Sequence, residues 1–281
     1  MTKMEKHPNG CCQLCGNEQL QRFEVENSSV LWLCKNCELY QYGRSLALHS
    51  YDGDYHDGYL RKRRAKVKTA MVRLNRMSSY VADQPVRLLD IGCSVGTTLT
   101  AAESRGWKAV GVDYSQRAVD ICKSMNLDAK ATRSWQLPFA DDSFDVVTSW
   151  HVIEHVSDVR ETLAEWTRVL RTDGILVIET PDASSPRVRR LGAKYRKFWA
   201  ATHTYTFTPT NLSQFMIESG LEMIQRPFLG PFSGYSPQMA AHAIAYQASH
   251  ALKRAAGIHK AFQLFAIKQQ SDSRTRSRNA A

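Results

Sequence analysis

Leu88-Leu89-Asp90-Ile91-Gly92-Cys93-Ser94-Val95-Gly96-Thr97-Thr98-Leu99 is the stretch that decides the fold. Val86 to Ile91 is a short apolar run, the pattern of a strand buried on both faces. A glycine-punctuated turn follows, and then helical spacing through Leu99 and Ala102 that stops at Gly106. Strand, glycine turn and helix open a nucleotide-type site in an open α/β sheet. Glycines let the backbone approach a ligand, and the free N–H groups at a helix start attract polar or anionic atoms.

Working outward, the chain keeps alternating strand and helix. Trp107 to Asp113 is a second strand that ends in an acid, and Ser115 caps the helix after it. Leu127–Ala131 and Phe144–Thr148 are the third and fourth strands. Ser157 is expected to cap an amphipathic helix carrying Leu163, Trp166 and Leu170. Ile175–Thr180 is a fifth strand, with Leu221–Ile224 and Phe262–Ile267 completing seven. A run of βα units predicts a doubly wound, mostly parallel sheet of α/β class. Thr208-Pro209 opens one further helix, and the alanine-rich stretch Met239–Ala256 forms another.

The composition, 43% hydrophobic and 23% charged, is that of a globular chain without membrane spans. With a polar N-terminus and no apolar leader core, the expected location is the cytoplasm. The net charge of +10 is local. Six cations fall in Arg61–Lys68, six in Arg187–Lys197, and Lys268–Arg278 nets three, so the rest of the chain is net acidic. Such patches suit anionic partners or are solvated faces.

Before the sheet lie Cys12-x-x-Cys15 and Cys34-x-x-Cys37, separated by eighteen residues. Two Cys-x-x-Cys knuckles around a hairpin of Phe23–Val25 and Val30–Leu33 predict a zinc ribbon, four thiolates closing a structural tetrahedral site. Cys11 is an alternative to Cys12. So small a module is expected to depend on its Zn2+. Tyr51–Tyr59, dense in tyrosine, aspartate and glycine, reads as a loop, and Leu60–Val81 as a helix. The expected organisation is a ribbon module over 1–45, a tyrosine-rich loop and connecting helix over 46–84, a catalytic domain over 85–268 with a substrate-covering insert at 182–207, and a disordered basic tail over 269–281.

Taken together, these blocks resemble the class I S-adenosylmethionine-dependent methyltransferases. Leu88–Gly96 is similar to their glycine motif, and Val110–Asp113 to the second-strand motif. Leu137-Pro138-Phe139 with Ser143–Val147, then His151–Val156, Arg168-Val169-Leu170 and Gly174, match the later blocks in order. The resemblance implies S-adenosylmethionine as cofactor. Asp90 and the turn bearing Gly92, Ser94 and Gly96 would hold its amino-acid end, and Asp113 its ribose hydroxyls. Tyr114 or Trp135 would cover the adenine, with Trp135 equally readable as a core residue. Ser94 replaces a third glycine, and Arg133-Ser134 stand where many members carry an acid, which leaves the Ser134 hydroxyl or the backbone to read the adenine.

Methyl transfer from a sulfonium is mostly approach and alignment. A hydroxyl or acidic-carbon acceptor also needs a base. Candidates are His151, just past the fourth strand, and His203 with Tyr205 in the long connection; His155 is expected to brace the turn before Ser157. His151, Glu154 and His155 fall where some quinone O-methyltransferases bear a magnesium cluster, with His151 replacing the first acid.

The ribbon, the tyrosine-rich stretch and His203–Pro209 resemble a branch of bacterial methyltransferases of sugars, glycans and secondary metabolites. In that reading Arg187, Arg189, Arg190, Lys194, Arg196 and Lys197 meet an anionic small-molecule, sugar- or lipid-linked acceptor. An RNA methyltransferase is the alternative, the ribbon and basic patches suiting a polyanion; the fourth strand ends Thr148-Ser149-Trp150-His151, without the Asn/Asp-Pro-Pro-aromatic signature of exocyclic amine methylation. A non-catalytic, cofactor-binding scaffold is the third reading, against which Asp90, Gly92, Gly96 and Asp113 stand intact.

Overall fold

The computed structural model describes residues 10–25, 29–42, 53–81, 85–191, 202–225 and 236–270. The basic tail beyond Gln270, Tyr51 and Asp52, and Lys194, Arg196 and Lys197 of the insert lie outside them. Two sheets organise the chain. The N-terminal one begins with β1 (Leu20–Val25) and β2 (Ser29–Cys34), paired antiparallel, with β3 (Tyr40–Tyr42) beside β2. Helices α1 (Gly53–Arg61) and α2 (Arg63–Met77) then lead into the large sheet.

That sheet starts with β4 (Arg87–Ile91), α3 (Thr97–Glu103), β5 (Lys108–Asp113), α4 (Gln116–Ser124) and β6 (Ala129–Ala131). It continues through β7 (Phe144–Trp150), α5 (Val159–Val169) and β8 (Leu170–Pro181). After α6 (Pro186–Leu191) and the short β9 (Tyr205–Thr206) come α7 (Pro209–Glu218), β10 (Leu221–Ile224), α8 (Pro237–Ala255) and β11 (Ala261–Lys268). The order is β10-β11-β8-β7-β4-β5-β6, seven strands as the alternation predicts. Strands β8, β7, β4, β5 and β6 run parallel, while β11 is antiparallel to both neighbours. Chain direction reverses its lateral walk between β4 and β7. The carboxyl ends there form the crevice where doubly wound sheets bind ligands.

The core is layered on both faces of this sheet. Leu88, Leu99, Val119 and Val177 fill one side; Leu89, Leu163, Trp166 and Phe207 fill the other. The ribbon is not a separate nucleus. Cys12, Leu14, Cys34 and Leu39 belong to the same apolar cluster as Trp166, Phe207 and Phe215. Strand β9 pairs with β3, so the insert supplies the fourth strand of the ribbon sheet. Asn211 on α7 donates to the Cys37 carbonyl at 3.2 Å, and Arg160 on α5 to the Leu14 carbonyl at 2.7 Å.

Four local readings change. Leu170 opens strand β8 rather than lying on the helix, so α5 ends at Val169 and the fifth strand starts five residues before Ile175. Residues 53–61 are helix rather than loop. Glycine costs roughly 1 kcal/mol per helical position, but docking offsets it here: His56 Nε2 meets Ser115 Oγ at 3.1 Å and Asp57 pairs with Arg117 at 2.9 Å. The connecting helix is two helices, broken at Lys62. Asp158, not Ser157, caps α5, its carboxylate accepting the Glu161 N–H at 3.0 Å. Ser115 and Thr208 cap α4 and α7 as their positions predict.

Candidate functional site

A cavity of about 420 Å3 opens at the carboxyl ends of β4, β5 and β7, roofed by the inner faces of α1 and α2. Asp90, Gly92, Ser94, Asp113, Tyr114, Ser134, Trp135 and His151 all line it. Gly96 does not. It sits at a left-handed φ of 67° and packs against Leu127 and Cys122, so its service is close helix–strand packing rather than ligand contact. Gly92 is needed twice over: its φ is 74°, and a Cβ there would overlap the Val152 side chain.

The glycine turn is tied to the end of β5 by its own acid. Asp113 accepts the N–H groups of Ser94 at 2.8 Å and Ser115 at 2.9 Å. Each carboxylate oxygen keeps a lone pair for a ligand hydroxyl. Burial raises the Asp113 pKa, and those N–H bonds oppose the rise. Asp90 is 1% exposed and accepts Thr148 Oγ1 at 2.7 Å. Burial lifts its pKa to about 7, against hydrogen bonds from Thr148 and Thr98. Ser94 holds φ 48° with its hydroxyl buried and unpaired on the cavity wall. A buried hydroxyl without a partner, beside an acid near its protonation point, fits a polar ligand, and the amino-acid end of S-adenosylmethionine is of that kind. Tyr114, 47% exposed, and Trp135, with the Arg133 guanidinium 5.7 Å from its ring, offer flat faces at the mouth.

Beyond β7 stands the first of the candidate bases. His151 Nδ1 lies 3.1 Å from Glu154 Oε1 and its Nε2 3.3 Å from Glu179 Oε1. Burial opposes its charge, yet the hydrogen bonds to the two carboxylates prevail and raise its pKa to about 10. Both ring nitrogens face carboxylate oxygens, a setting that favours the protonated ring. Its backbone is held at φ 60°, with its N–H on the Glu179 carbonyl at 2.8 Å. Glu154 is fixed from the other side by Thr180 Oγ1 at 2.9 Å; burial would raise its pKa, but His151 holds it down at about 2. Glu179 also binds Arg73 and Gln263, and Arg73 lies 4.2 Å over the Trp150 ring.

The other candidate bases are elsewhere. His203 is 8% exposed, edge-on to His155 at 4.9 Å between ring centroids, and is not part of the cavity wall. Tyr205 is buried in the ribbon sheet, donates its hydroxyl to the Ser157 carbonyl at 2.9 Å, and is pushed up in pKa by burial. The histidine that does line the cavity besides His56 and His151 is His155. Its Nδ1 meets the Thr202 carbonyl at 2.8 Å. A carbonyl only accepts, so Nδ1 carries a proton, and Nε2 is the ring nitrogen this contact leaves over. Ligand atoms of Glu154, His155 and His203 lie within 4.8 Å of one another, and Glu154 also binds His151 and Thr180.

Glu179 and Arg73 are residues that motif reading missed. A lone acid closing the apolar strand Ile175–Ile178 is the signal that identifies Glu179. The arginines of the insert are also displaced from expectation. Among the described residues Arg187, Arg189 and Arg190 are absent from the cavity wall, and Arg189 faces Glu38 of the ribbon at 3.8 Å.

Cys12, Cys15, Cys34 and Cys37 converge, with all four sulfurs within 4.8 Å of one another; Cys11 is not in the group. The Cys12–Cys37 and Cys15–Cys34 contacts are 3.5 Å. That is far beyond a disulfide bond of about 2.05 Å. It is near the edge of about 3.8 Å expected for a tetrahedron with Zn–S bonds of about 2.3 Å. The thiol set fits a structural zinc.

No helix among the described residues is long and apolar enough to cross a membrane. Residues 59–226 match the family described as the methyltransferase domain. The chain is 28% identical over 153 residues to a ubiquinone biosynthesis O-methyltransferase of Brucella anthropi, covering 50% of this chain and 62% of that one. It is 36% identical over 95 residues to the uncharacterized methyltransferase YcgJ of Bacillus subtilis, covering 31% and 38%. The chain thus spans about three-fifths of the ubiquinone-type relative and less of YcgJ. Among solved structures, a SAM-dependent methyltransferase from Archaeoglobus fulgidus superposes with a TM-score of 0.53 at 21% identity, over 76% of this chain and all of that one. The YcgJ structure gives 0.51 at 20% identity, over 74% and 100%. These structures share the fold. With more than half of its length matching the family, this chain belongs to the methyltransferase-domain family.

Proposed function

We propose that the protein transfers a methyl group from S-adenosylmethionine to a hydroxyl or acidic carbon of a small-molecule acceptor. The observation that carries this reading is the convergence of Asp90, Gly92, Ser94 and Asp113 on one cavity at the β4–β7 switch point. Asp90 faces the cofactor's ammonium, Asp113 its ribose hydroxyls, and Tyr114 and Trp135 the adenine. The cofactor supplies an electrophilic methyl on a sulfonium; the chain supplies alignment and exclusion of water. The likeness to an O-methyltransferase named for ubiquinone biosynthesis favours a small acceptor over a polymer.

Proton removal falls to His155. Its Nδ1 proton is fixed on the Thr202 carbonyl, which leaves Nε2 as the nitrogen to take the acceptor's proton. His151 positions instead, neutralising Glu154 and Glu179 beside the site. The four thiolates hold a structural zinc that closes the ribbon onto α5 and α7.

The test is mass spectrometry of native extract incubated with the protein and an isotopically methyl-labelled donor. A labelled small molecule supports the reading; label confined to RNA, or no label with donor bound, contradicts it. His155→Gln is expected to abolish turnover at unchanged donor affinity. Equal loss of turnover and donor binding in that variant would contradict a base role.

A further inference from the structure

We propose that Lys66, seated on the ring of Tyr59, forms a carboxylate-binding subsite in the wall of the cavity; this rests on the reading above. The chain brings three fixed acids to that wall, and each is already answered. Asp90 has Thr148, Asp113 has the Ser94 and Ser115 N–H groups, and Glu179 has Arg73, His151 and Gln263. The cations are answered unevenly. Arg73 is spent on Glu179 and His151 on both glutamates. Arg133 lies over Trp135, on the β6 side, its guanidinium carbon 5.7 Å from the ring centroid. Lys66 differs: its Nζ sits 4.0 Å above the centroid of Tyr59, and no acidic partner stands beside it among the described residues.

Helix geometry places that ammonium over the site. On α2, Lys66, Thr69, Ala70 and Arg73 recur at i, i+3, i+4 and i+7 and all line the cavity, whereas Arg64 and Lys68 lie on the exposed face. A ring beneath the ammonium stabilises its charge without using its N–H donors. Three donors are then free for an anion, and a compact lysine suits a carboxylate approached from one side. Two ligands of this site can bring a carboxylate: the amino-acid end of the cofactor, or the acceptor.

Titration calorimetry on the zinc-loaded full chain distinguishes them. The first pair is S-adenosylhomocysteine and its decarboxylated analogue. The second, on protein saturated with S-adenosylhomocysteine, is 3,4-dihydroxybenzoate and catechol. A charge-assisted contact predicts about a tenfold or greater preference for the carboxylate member of at least one pair. Lys66→Met, which keeps the apolar stem, is expected to erase that preference while leaving the decarboxylated ligand's affinity unchanged; Lys66→Arg retains most of it. Discrimination in the first pair assigns the subsite to the cofactor, in the second to the acceptor. A preference that survives in Lys66→Met, or equal binding within both pairs, overturns the subsite while the methyltransferase reading stands. Failure of both nucleosides to bind overturns that reading as well.

Discussion

At the scale of the residue, the site depends on a few groups kept away from their ordinary states. Asp90 is buried enough to hold its proton up to about pH 7. An ammonium ligand needs the carboxylate ionised. Affinity for S-adenosylhomocysteine is therefore expected to rise as pH climbs through about 7. Asp90→Asn should remove the acid limb of that curve, which calorimetry at stepped pH would read directly. Gly92→Ala combines a left-handed backbone with overlap at Val152. The expected loss is roughly 2–4 kcal/mol of stability, measured by denaturant unfolding, from backbone strain plus overpacking. His151 acts on stability with a definite sign. Its folded pKa is raised above the unfolded value, so its contribution is complete below about pH 6.5 and lost as pH climbs toward 10. Melting temperature should decline across that window, and His151→Gln should flatten the decline.

At the scale of the element, the central strands β4, β7 and β8 were legible because each carries a buried apolar run. Helix starts were legible where a cap is unambiguous, as at Ser115 and Thr208, and slipped by one residue where Ser157 and Asp158 compete. Gly53–Arg61 defeated local reading because propensity is a weak term: two glycines argue for a loop, while tertiary contacts through His56 and Asp57 fix a helix. The cofactor side of the cavity could be read from spacing, since one glycine turn and one strand end carry it. The acceptor side could not. His151, Glu154 and Glu179 meet from the end of β7, the turn after it and the end of β8, and only geometry shows which partners each histidine has. The same holds for β9, two residues long, whose pairing with β3 has no sequence periodicity to announce it.

At the scale of the whole molecule, the ribbon and the large sheet behave as one body, because Leu14 and Leu39 share an apolar cluster with Trp166 and Phe215. Removing the zinc should therefore lower the main melting transition rather than produce a separate early one. Cys37→Ser, with zinc content read by mass spectrometry of the metal, is expected to bring bound zinc from one per chain to near zero. The fall in melting temperature should accompany it. A ribbon that melts alone, leaving the main transition in place, would mean that the shared cluster contributes little. Above all of these stands the claim that the crevice between β4 and β7 is a cofactor site with Asp113 at its centre. Equilibrium titration of S-adenosylhomocysteine into the native chain and into Asp113→Ala tests it most directly. The account predicts one site per chain, weakened at least tenfold by the substitution. Absence of binding to the native chain, or equal affinity in the two proteins, would contradict it.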